Sequence, residues 1–128
     1  MTTKLKHIDD LHFEHQLWLC EVRFFADELK IYQSRLEEVA AKNNKTDVLK
    51  QVEHFQNLFI IQKEKMKGIK NLLKKHEAWL NSYSIKNPVA VDHKLFPDHT
   101  MMRDQVETFK KLYFEMKKEF NSFLSVQM

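Results

Sequence analysis

Three of the seven histidines in the chain, His15, His76 and His99, interrupt runs of apolar residues that are spaced three and four apart. A side chain at such a position faces the interior of a helical assembly, and an imidazole placed there has two uses. It can be hydrogen-bonded to a tyrosine, carboxylate, carbonyl or water as part of a polar core layer. Alternatively its lone pair can coordinate zinc, iron, nickel or copper. Three inward histidines, one from each of three helices and joined by Glu14 or water, would make a four-coordinate site, and helical bundles build metal sites from facing helices in this way. His12, Glu77 and His93 are near these residues in sequence. Chance alone puts some of seven histidines on interior positions, so the satisfied polar layer is the plainer expectation and the metal site the sharper one.

Other chemistry finds little footing. The run His76-Glu77-Ala78-Trp79-Leu80 begins like a zinc protease helix, but Leu80 stands where the second histidine is required. No Glu-x-x-His occurs, which removes the ferritin-like di-iron pattern. Hemerythrin-like bundles carry His-x3-Glu, His-x3-His and His-x4-Asp; His99 to Asp104 has the last of these spacings, the first two do not occur, and His54 is followed at the first of them by Leu58. A single glycine leaves no Gly-rich phosphate loop, and the serines, threonines and Cys20 lack a base with an orienting partner. An ordinary enzyme is therefore not expected. His54 lies 22 residues before His76, roughly 33 Å along a continuous helix, so the two cannot share an ion. It is expected at the surface or in a hydrogen bond.

The elements that must position the three histidines are long amphipathic helices. The first seam runs Ile8, Leu11, His15, Trp18, Val22, Phe25, Leu29, Tyr32, Leu36, Val39. The second runs Val48, Val52, Phe55, Phe59, Gln62, Met66, Ile69, Leu73, His76, Leu80, and the third Leu95, His99, Met102, Val106, Phe109, Tyr113, Met116, Phe120, Phe123. Asn43 and Asn44, which tolerate the left-handed conformation, end the first helix, and Thr46 with Asp47 opens the second. Asn87-Pro88 disfavours helix, and Phe96-Pro97-Asp98 reads as a helix start. The sequence thus predicts one all-α domain over residues 1–128, an elongated antiparallel up-down-up three-helix bundle with helices at about 6–42, 47–82 and 97–125 and a long connection at 83–96. A four-helix bundle is the alternative, with Gly68 as the obvious break.

This register places His15 and His76 about 3 Å apart along the axis and His99 about 4 to 5 Å further along. Glu14, Glu21 and Glu28 recur every seven residues, and Lys63, Lys67, Lys70 and Lys74 form a stripe; the two sets are expected to face each other across the first hairpin.

One Gly and two Pro in 128 residues argue against turn-rich β classes. The net charge of +3 gives no support for a nucleic-acid partner. No apolar run reaches the roughly 20 residues of a membrane span or forms a signal peptide, and the lone cysteine fits a reducing compartment, so a soluble cytoplasmic protein without membrane contact is expected. Phe13, Phe24, Trp79, Phe96 and Phe114 lie off the strict seams, and any left exposed together would mark a homodimer or partner interface. Two functional readings result: a non-catalytic interaction or structural module, or a metal-binding bundle (sensor, carrier or oxygen-reactive) with His15, His76, His99 and Glu14 at its site.

Overall fold

The computed structural model describes the backbone of residues 8–86 and 91–127 and the side chains of 10–82 and 99–127. Three helices, α1 (Ile8–Lys42), α2 (Thr46–Lys86) and α3 (Val91–Gln127), pack antiparallel in sequence order as an up-down-up bundle. Each is about 50 to 60 Å long at 1.5 Å per residue. α2 runs unbroken through Gly68, so the four-helix alternative does not arise.

Among the described side chains, all three seams face inward. Trp18, Val22, Phe25, Leu29 and Leu36 of α1 meet Phe55, Phe59, Met66 and Leu73 of α2 and Val106, Phe109, Tyr113 and Phe120 of α3 in one continuous core. Gln62 is buried in the second seam, and its Oε1 has no hydrogen-bond partner among the described residues.

Several local expectations are revised. No non-glycine residue among those described has positive φ, so Asn43 does not end α1 in the left-handed conformation. Its side-chain Nδ2 donates instead to the Val39 carbonyl at 2.9 Å, satisfying one of the last carbonyls of the helix. At the start of α2 the Lys45 carbonyl accepts from Leu49 N–H at 3.0 Å, so Lys45 rather than Thr46 takes the capping position. α2 continues to Lys86 and α3 begins at Val91, so helix occupies most of the stretch read as a long connection. Pro97 therefore lies inside α3, where it removes one backbone hydrogen bond rather than opening the helix. The Asn87-Pro88 break lies outside the described residues.

The glutamate heptad turns away from the α2 lysines. Glu14 accepts from Arg103 at 2.7 Å, Glu21 from Lys110 at 3.1 Å and Glu28 from Lys117 at 2.8 Å, each pair separated by 89 residues. A constant offset is the signature of two parallel helices held in register, here α1 and α3. A seam in a three-helix bundle has two flanks, one toward each neighbour, and residue spacing alone does not say which neighbour a flank meets. Lys63, Lys67 and Lys74 are exposed and Lys70 is half-buried.

Candidate metal centre

His15, His76 and His99 come from α1, α2 and α3, and one ring nitrogen of each lies within 4.8 Å of the others. His15 and His99 are 1% and 0% exposed, and His76 is half-buried. Their ring centroids stand 4.9 Å (His15 to His76), 5.1 Å (His15 to His99) and 6.0 Å (His76 to His99) apart. Trp18 stacks on His99 at 5.0 Å, and Trp79 lies 5.8 Å from His76, giving the layer an aromatic wall.

The order of protons in the layer follows from its partners. A carboxylate can only accept, so where it meets a neutral imidazole the ring nitrogen carries the hydrogen. Glu77 Oε1 lies 2.5 Å from His15 Nδ1, which leaves the His15 lone pair on Nε2, 3.1 Å from His76 Nδ1. Glu14 Oε1 lies 2.7 Å from His99 Nε2. The His99 lone pair is thereby left on Nδ1, which is buried without a hydrogen-bond partner among the described residues. Burial pushes the His99 ionisation down from 6.5 to about 4 against the opposing pull of Glu14, so the ring is neutral at physiological pH and its lone pair is available. His12 also bonds Glu77 through Nδ1. Burial alone would raise the Glu77 ionisation, but the hydrogen bonds from His15 and His12 outweigh it and hold the carboxyl below its ordinary value.

These features make an arrangement of imidazole lone pairs, two of them oriented by carboxylates on the far ring nitrogen. Metal-binding histidines commonly have such a carboxylate partner, which fixes tautomer and ring direction. Glu14, a candidate ligand from sequence, is placed on His99 Nε2 and Arg103, outside the group of converging ring nitrogens. Sequence reasoning noted Glu77 and His12 only as neighbours and missed Arg103 altogether. Arg103, Lys110 and Lys117 repeat at the same seven-residue spacing as Glu14, Glu21 and Glu28, but spacing alone does not choose this row over the lysines of α2. His54 pairs with Glu119 at 3.1 Å on the surface, remote from the layer. The His93 side chain lies outside the described residues.

Comparison with known proteins finds no matching family model, no similar curated protein and no similar solved structure.

Proposed function

We propose that this bundle binds a divalent first-row transition metal at His15, His76 and His99. The observation that carries the reading is the convergence of one imidazole nitrogen from each helix within 4.8 Å, in a layer where Glu77 holds Nδ1 of His15, opposite the nitrogen that meets His76, and Glu14 holds Nε2 of His99. Two nitrogens on one tetrahedral zinc stand about 3.3 Å apart when each bond is about 2.0 Å. The 3.1 Å between His15 and His76 is already close to that value, and small ring movements bring in the third. His76 must carry its hydrogen on Nε2 rather than Nδ1 for its lone pair to join, a tautomer change that costs no net proton. Imidazole suits zinc, copper, iron and nickel alike, and water completes the four-coordinate set. Glu14 serves as an orienting group, since His99 and Arg103 both meet its Oε1.

An ion in this layer would link all three helices at one level and tie metal occupancy to bundle stability. The test is elemental analysis of tag-free protein together with thermal melting of the chelated form on metal addition. We expect a retained transition metal and a raised melting temperature that His76→Ala abolishes. No response to zinc, nickel, copper or iron(II) would leave the three rings as a hydrogen-bonded core layer.

A second reading is favoured by the surface. Phe13, Phe24 and Phe114 are 63%, 60% and 47% exposed, whereas Trp79 is half-buried. Exposed rings of this size mark interaction sites, which supports a role as an interaction module through self-association or a protein partner. Among the described residues no helix is long and apolar enough to cross a membrane.

A further inference from the structure

The solvent face of α1 carries a second apolar row at helical spacing, Phe13, Leu17, Cys20, Phe24 and Ile31, all exposed. On another side of the bundle, α2 and α3 enclose an apolar groove of about 750 Å³. Its walls repeat the same spacing, with Ile61, Gly68 and Leu72 on α2 and Thr108 and Leu112 on α3. Its middle is shallow in side chains: a Cβ added at Gly68 would meet nothing within 4 Å, and Thr108 is also small. One surface therefore offers bulky knobs and the other a hole with small residues at its centre, the pairing by which a further helix joins a bundle.

The dimensions and charges agree. Ile61 to Leu72 spans about 16 Å and Leu17 to Ile31 about 21 Å, so three turns of the row can lie in the groove. Glu64 and Asp104 against Lys65 leave the groove with an excess negative charge, while Arg23 and Lys30 against Asp27 leave the α1 row with an excess positive charge. Arg23, Lys30, Glu64 and Asp104 take part in no ion pair among the described residues.

We infer that the groove between α2 and α3 receives the outer row of α1 from a second copy of this chain. The inference rests on the interaction reading and is independent of the metal. Each contact uses a different surface on the two partners, so a bound copy still presents one free row and one free groove. Such head-to-tail contacts propagate into rings or open chains rather than stopping at a two-fold dimer.

The test uses the full chain in sedimentation experiments over a wide concentration range, with Phe24→Asp blocking the row and Gly68→Gln filling the groove. Wild type should show concentration-dependent species larger than a dimer. Each variant alone should be monomeric. A one-to-one mixture should give a heterodimer of twice the single-chain mass and nothing larger, because only the intact row of one variant and the intact groove of the other can meet. Ile31→Asp and Leu112→Gln form a second pair should either first variant fail to fold by circular dichroism. A mixture of folded variants that stays monomeric, or a single variant that still self-associates, overturns the row-in-groove contact while leaving self-association through some other face. A wild type that is monomeric at every concentration overturns both.

Discussion

Acidification should destabilise the metal-free protein over a window set by one residue, His99. Its ring is fully buried between Trp18 and Glu14, and its ionisation falls from 6.5 to about 4 because burial penalises the charged form. Between these two values the unfolded chain binds a proton that the folded chain refuses. Stability therefore rises with pH across the window and is lost as pH falls through it. The displacement corresponds to about 3 kcal/mol, fully present above pH 6.5 and gone below pH 4. For a chain of this size that is about 10 °C in melting temperature. The assay is thermal melting of chelated protein at closely spaced pH values, beside His99→Phe, which keeps a ring in the layer and removes the proton site. Wild type should lose most of the difference between pH 6.5 and 4, and the variant should have a nearly flat profile there. Glu77, whose ionisation is held below its ordinary 4.5, keeps its contribution above that pH and loses it as pH falls further, so it overlaps the His99 window only at its acid edge. A wild-type melting temperature that does not change from pH 7 to 4.5, or an equal slope in His99→Phe, would refute the assignment of the pH dependence to His99.

Phe59 and Phe109 are buried in the core, and replacing either with Ala should cost about 3 to 5 kcal/mol in denaturant titration; a loss under about 1 kcal/mol at both would place them outside the core. Glu28 accepts from both the buried Tyr113 hydroxyl, at 2.7 Å, and Lys117. Glu28→Leu should therefore destabilise by about 1 to 3 kcal/mol, and adding Tyr113→Phe should recover part of that loss, as a double-mutant cycle would show. Glu77→Gln removes the carboxylate from His15 and should weaken metal affinity about 10- to 100-fold in a competition titration while leaving the helical content unchanged.

Much of the fold was legible because its determinant is periodic. Three seams with steps of three and four specify three long helices, their inward faces and a core containing Phe59 and Phe109. The hairpin register also follows, because a short connection fixes which levels face each other, and this is why His15 and His76 could be placed in one layer. Placing His99 beside them relied on a long connection, yet α2 extends to Lys86 and α3 starts at Val91. Proline was weighted as a helix opener, although at Pro97 the rest of α3 carries the helix past the missing hydrogen bond. The partner of Glu14, Glu21 and Glu28 was not legible either. Both neighbouring helices offer basic residues, and only the handedness of the bundle decides between the lysines of α2 and the row Arg103, Lys110 and Lys117 of α3. The role of Glu77 was hidden for a related reason: its contact with His15 and His12 depends on ring orientation, which spacing does not encode.

The central claim is that three imidazoles hold one ion, and calorimetric titration of zinc into chelated, tag-free protein at neutral pH tests it most directly, with X-ray absorption on the resulting complex. The account predicts one ion per chain, about three nitrogen neighbours at about 2.0 to 2.1 Å, and loss of binding in His15→Ala, His76→Ala and His99→Ala alike. No heat of binding in the folded wild type, or binding that persists when all three histidines are replaced, would contradict it.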